Sequence, residues 1–207
     1  MNKVYKQAAT NWTVTLHDNI TGVEFNENDD PRLDDETTVF TAYTKEMRNI
    51  IDSYEEFNNT TDKTYVLFLM HSSEKGKAGF MPLKKHYGFI FMDEFRSSKP
   101  EELHRTVSHE VAHGAFVLYH TFSEFPALQQ GTTDNLMDYT TGTGLYKYQW
   151  DLIHDPVWLI VGGGSEEEGA AFGNDDFIKI ISVNDDFVPN ELDLSVQFYI
   201  KTSDIVS

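Results

Sequence analysis

Thr106-Val107-Ser108-His109-Glu110-Val111-Ala112-His113 is the stretch that decides the reading of this chain. Just upstream, Pro100-Glu101-Glu102 places proline and two acids where a helix N-terminus favours them, so a helix is expected from 100 to about 118. On that helix His109 and His113, four residues apart, stand one turn above each other and can grip one divalent ion at ~2.1 Å each. Glu110 projects about 100° round the axis from His109, where it can reach water at the ion without competing as a ligand. Leu103, Val107, Val111 and Leu118 form an apolar stripe on the other side. A core face and a separate two-histidine face are what a cleft-lining helix needs. The bland alternative is a chance H-E-x-x-H with histidines on a solvent face.

Working outward, the segment 38–57 reads as an amphipathic helix, with Phe40, Tyr43, Met47, Ile50, Ile51, Tyr54 and Phe57 recurring at steps of three and four. Asn58-Asn59-Thr60-Thr61-Asp62 ends it with turn residues. Tyr65 to Met70 is a continuous apolar run suited to an interior strand. Residues 78–83 and 87–92 read as two further strands, the first at a sheet edge because Pro82 cannot donate to a ladder. Near the N-terminus, helical spacing over 2–10 gives way to strand-like alternation over Thr13 to His17. A helix interrupted by Pro156 is expected from Tyr146 to Ile160. Gly162-Gly163-Gly164-Ser165-Glu166-Glu167-Glu168-Gly169 has linker composition. The expected organisation is a domain over 1–161, a linker over 162–175 and a C-terminal strand pair over 176–207, formed by Phe177–Ile181 and Leu194–Ile200.

The 207 residues suffice for one medium domain with a real core, and 40% hydrophobic with 14% aromatic residues is globular composition. A net charge of −18, from 34 acidic and 16 basic side chains, repels phosphate backbones and anionic lipid. Nucleic acid and membrane surfaces are therefore not expected partners. No apolar stretch reaches the roughly 18 residues of a membrane span, and no signal-peptide h-region follows Met1. Cysteine is absent, which excludes disulfides, thiolate ligands and cysteine nucleophiles. A metal must then be held by His, Asp and Glu. The acidic segment 18–37 lacks the glycine and ligand spacing of an EF-hand; solvated surface is its plain reading, and structural calcium the sharper alternative.

Two residues compete for the third ligand. His120 lies seven positions past His113, which in an unbroken helix would carry it about 10 Å further along the axis, out of reach of a shared ion. It can serve only if the helix ends between Gly114 and Tyr119 and the chain swings back, where a residue can take a strained or left-handed backbone. Glu124, four residues beyond, is the carboxylate alternative.

His109-Glu110-Val111-Ala112-His113, Tyr119-His120-Thr121-Phe122 and Asn135-Leu136-Met137-Asp138-Tyr139, followed by Tyr148-Gln149-Trp150-Asp151-Leu152-Ile153-His154-Asp155-Pro156, resemble the metzincin clan of zinc metallopeptidases, in its pappalysin-like branch. They are similar also to metallopeptidase domains in large bacterial surface or toxin-like proteins. The resemblance covers residues 1–160 and is sharpest between 108 and 156. It implies that His120 is the third zinc ligand, that Met137 forms a Met-turn floor beneath the metal, and that Tyr139 stabilises an oxyanion or ligates zinc. It also implies an exported or cell-surface setting as part of a longer chain. Two departures stand out. The clan places its third histidine six residues after the second, and it has a glycine at the turn where this chain has Phe116 and Val117.

The expected fold is α/β and zincin-like: a small twisted mixed sheet with helices 38–57 and 100–118 packed against it. The cleft is expected below edge strand 78–83, running antiparallel to its neighbour. The expected function is zinc-dependent hydrolysis of peptide bonds in a protein or peptide substrate, with Glu110 as general base. A binding or adhesion module on the same scaffold is the rival from another class, and the intact Glu110 argues against it. A toxin-type protease domain differs in biology but not in chemistry.

Overall fold

A computed structural model describes residues 1–17, 43–70, 77–96, 100–154 and 192–200. The apolar run predicted as an interior strand is β2, Thr64–Met70, which follows β1, Thr10–His17. The edge strand and its neighbour are β3, Gly79–Phe80, and β4, Tyr87–Phe91; β5, Leu192–Ile200, completes a five-stranded sheet in the order β1-β5-β2-β4-β3. All pairings are parallel except β3 with β4. The sheet is thus mixed, and among the described strands the one antiparallel strand sits at an edge.

The helices in chain order are α1, Asn2–Tyr5; α2, Lys45–Glu55; α3, Asp93–Arg96; α4, Pro100–Phe116; α5, Thr121–Glu124; and α6, Lys147–His154. Thr44 caps α2, its hydroxyl accepting from the Met47 amide at 3.2 Å. Along β2 the side chains alternate between two cores, as the pleat dictates. Val66, Phe68 and Met70 pack with Phe89 and Phe91 under Met47, Ile50 and Tyr54 of α2. Leu67 and Ile90 face the other way, toward Val107, Val111 and Ala112 of α4 and toward Tyr5 and Trp12. The sheet therefore separates α2 from the histidine-bearing helix.

Several expectations need correcting in detail. Phe57 does not extend the apolar face of α2; the helix ends at Glu55 and Phe57 is 62% exposed. The N-terminal helix stops at Tyr5, passes through a single 3-10 turn, and Ala9 at φ 46° turns the chain into a longer β1. The edge strand is only two residues, because the chain turns through Pro82 to Lys84, whose φ is +60°. Leu194–Ile200 belongs to β5, between β1 and β2 in the main sheet. Its expected partner 177–181, the linker 162–175, the acidic segment 18–37 and residues 155–160 lie outside the described residues. No described helix is long and apolar enough to cross a membrane.

Candidate metal centre

The position of His120 is decided where α4 stops. Phe116 ends the helix and Val117 adopts a left-handed backbone, φ 56°. This is an unusual conformation for a β-branched residue. The Leu118 amide then reaches back to the Ala112 carbonyl at 3.2 Å, and the Leu118 carbonyl accepts from His113 Nδ1 at 2.6 Å. Two residues later His120 sits in extended backbone as the N-cap of α5, and Thr121 N–H donates to the Met137 carbonyl at 3.0 Å. The chain has doubled back instead of rising along the helix axis.

His109, His113 and His120 are all buried, and their ligand nitrogens lie within 4.8 Å of one another. His109 Nε2 is 3.2 Å from His113 Nε2 and 3.2 Å from His120 Nε2. His109 Nδ1 donates to the Leu136 carbonyl at 2.8 Å, as His113 Nδ1 does to Leu118. A carbonyl has no proton to give, so both rings carry hydrogen on Nδ1 and turn an Nε2 lone pair toward the shared point. Burial lowers the His109 pKa to about 3, with the neighbouring His120 adding to the effect; burial likewise carries His113 well below its ordinary value. Both stay neutral, the form that ligates metal.

Facing lone pairs repel unless a cation sits between them. Two nitrogens bound to one tetrahedral ion at ~2.0–2.1 Å stand ~3.3–3.4 Å apart, close to the spacing found here. Three buried histidines held this way can hold a metal ion. An all-imidazole donor set suits zinc and its transition-metal neighbours, whereas calcium and magnesium take oxygen. Glu124 is not part of this group. Its side chain is 1% exposed, and neither carboxylate oxygen has a hydrogen-bond partner among the described residues. Burial pushes its pKa up to about 7; the Tyr148 hydroxyl tempers the rise without completing a hydrogen bond.

Glu110 is buried beside the histidines, under the edge strand. A Cβ on Gly79 of β3 would lie 2.7 Å from Glu110 Oε1, so strand backbone and carboxylate meet at a point where no side chain fits. Tyr139 is 54% exposed, its ring centroid 4.8 Å from that of His120 and 6.1 Å from that of His109. Phe122 stacks on His120 at 5.1 Å and meets Tyr139 edge-on at 5.3 Å. Met137 is fully buried in the core on the α4 side of the sheet.

The loop carrying Met137 and Tyr139 is held by its own polar groups. The Asp138 carboxylate accepts from Gly131 N at 2.7 Å, Thr133 N at 2.8 Å, Thr133 Oγ1 at 2.8 Å and Tyr139 N at 2.7 Å. Burial raises its pKa, and these bonds more than offset that, leaving it below the ordinary value. Asn135 and Gln149, both buried, exchange amide hydrogen bonds of 2.8 and 3.1 Å and tie the loop to α6.

Asp138 forms a turn, and His86 and His154 ring-stack on Tyr65 and Trp150 respectively. The sequence reading does not single out Gly79, Arg105 or the pairing of Asn135 with Gln149. Arg105, one helical turn before His109, carried a readable signal; the other two depend on partners distant in sequence. No family model, curated protein or solved structure matches the chain.

Proposed function

We propose that the chain is a zinc-dependent peptidase of zincin type, with His109, His113 and His120 as ligands and Glu110 as general base. The observation that carries the reading is the convergence of three buried imidazole Nε2 atoms beside a buried carboxylate, directly under an antiparallel edge strand. Three protein ligands leave an open coordination position, which is the arrangement of catalytic and not structural sites.

A zinc ion held there would bring the pKa of a bound water toward ~7 and polarise a substrate carbonyl. The Glu110 carboxylate takes the proton of the attacking water and delivers it to the leaving amine. Burial and the strand above it keep Glu110 in place for both transfers. The phenol of Tyr139, exposed and against the His120 ring, is positioned to donate to the oxygen that gains charge at the carbonyl. Edge strand β3 offers backbone groups along which an extended peptide can lie. The mixed sheet, the helix beneath its edge strand and the returning third histidine support the zincin-like reading.

The test combines metal analysis with a peptide-library digest of the purified chain. Wild type should carry about one zinc, and His109→Ala or His113→Ala should lose it. Glu110→Gln should keep the metal and the fold while hydrolysis falls by orders of magnitude. Equal cleavage by Glu110→Gln and wild type would show that the role is misassigned.

A further inference from the structure

We infer that Arg105 is a positioning residue for the metal centre: its guanidinium locks the 135–142 loop onto α4 and thereby fixes the carbonyl that orients His109. This rests on the metal-centre reading above, although its first step concerns the protein alone.

The observation is a shared acceptor. The Leu136 carbonyl accepts from His109 Nδ1 at 2.8 Å and, on its other lone pair, from Arg105 Nη2 at 2.8 Å. The same Nη2 donates to the Asp138 carbonyl, and Nε donates to the Gly142 carbonyl at 2.8 Å. One planar fork thus gathers three backbone oxygens of an irregular loop that has few ladder partners of its own. Arg105 and His109 are four residues apart on one helix, so both reach the loop from the same face. The geometry therefore runs from Arg105 to Leu136 to the His109 ring, and the Nε2 lone pair aims where that ring is turned. Tyr139 rides on the same clamped loop, between the bonded carbonyls of residues 138 and 142.

A point charge could not do this. Arg105 is flanked by the charges of Asp138, Glu102 and Glu110, so a lysine would keep the electrostatic balance. It would lack the rigid fork that spans three acceptors. The substitution Arg105→Lys therefore separates positioning from charge, and Arg105→Met removes both.

Two readings on the full chain test the inference. The first is zinc affinity by chelator competition, with the absorption spectrum of the cobalt-loaded protein as a signature of ligand geometry. Arg105→Met should bind zinc about tenfold to a hundredfold more weakly, the range typical when a group that orients a ligand is lost. Arg105→Lys should stay closer to Arg105→Met than to wild type, with an altered cobalt spectrum. The second is the His109 Nδ1 proton by NMR in metal-free protein. In wild type it should exchange slowly with water, and in both variants quickly. Wild-type affinity, spectrum and exchange in the variants would overturn the inference, as would full recovery by Arg105→Lys, which would make the role one of charge. If wild type binds no zinc but the variants still release the His109 proton, the inference stands and the peptidase reading falls. Should Arg105→Met fail to fold, Arg105→Lys alone decides.

Discussion

Gly79→Ala isolates the placement of Glu110 from its chemistry. The new Cβ would stand 2.7 Å from Glu110 Cγ, 2.7 Å from Oε1 and 2.9 Å from Cδ. Ordinary contacts between such atoms are ~3.5 Å or more, so something must retreat by about 0.8 Å. The side that yields is the Glu110 side chain, since the Gly79 backbone is hydrogen-bonded into β3 and β4. A misplacement of about 1 Å costs on the order of a hundredfold in rate, or about 2.7 kcal/mol of transition-state stabilisation. Stability should move by less than ~1 kcal/mol, because alanine restricts the unfolded chain and the clash is relieved by one side chain. None of the three histidines is touched, so zinc content should be unchanged. The assay is kcat and KM on a peptide chosen from the library digest, with metal analysis and thermal unfolding alongside. The loss should fall on kcat and should vanish in a Glu110→Gln background, where no general base is left to misplace. Wild-type kcat in Gly79→Ala, or an equal further loss on top of Glu110→Gln, would refute this account of the edge strand.

His120→Ala should weaken zinc binding by a large factor and abolish hydrolysis, while Glu124→Ala should leave zinc content near one per molecule; metal analysis reads both. Glu124 has its pKa raised from 4.5 to about 7 by burial, so the native state prefers the neutral acid and stability is lost as pH climbs from 4.5 through 7. Glu124→Gln should therefore gain up to about 3 kcal/mol on wild type between pH 5 and pH 8, and a pH-independent difference in urea unfolding would contradict it. Val117→Pro, with φ held near −65°, cannot make the left-handed turn and should lose zinc and about 3 kcal/mol or more of stability. Val117→Gly should keep zinc affinity within a few-fold, by the same chelator competition.

Local pattern carried much of the fold and non-local pairing did not. The period of three and four in α2 and the unbroken apolar run of β2 are properties of neighbouring residues; β2 stands where the pattern puts it, and α2 occupies the middle of its expected span. The edge position and antiparallel sense of β3 agree with the reading of Pro82, although the strand itself is shorter. The place of β5 was not legible. Its nine residues show an apolar strand, but nothing local says that it inserts between β1 and β2, some 130 residues away from the nearer of them. The same divide holds in the site. His109, Glu110 and His113 announce themselves by helical spacing, whereas the tight fit of Glu110 under Gly79 depends on a contact across 31 positions.

The seven-residue spacing from His113 to His120 follows from how α4 is ended. With a glycine at the turn, the left-handed step costs little, and the chain can leave the helix at once. Here α4 continues to Phe116, which buries its ring against Tyr5 and Trp12 at 5.6 and 6.0 Å between centroids. The turn then falls on Val117, at a cost of about 1–2 kcal/mol for a left-handed non-glycine residue. What holds it is on both sides: Phe116 and Leu118 are buried in the core, and the Leu118 carbonyl and amide are both hydrogen-bonded back to α4. Burying a phenylalanine side chain contributes about 1.5–3 kcal/mol, enough to offset the strain. The bond from His113 to Leu118 then gives the strained turn a further consequence, since it sets which nitrogen of His113 faces His109. Anchoring of the turn and orientation of the His113 ring are thus coupled through residues 113–118, and the seven-residue step to His120 contains the length of chain this anchor requires.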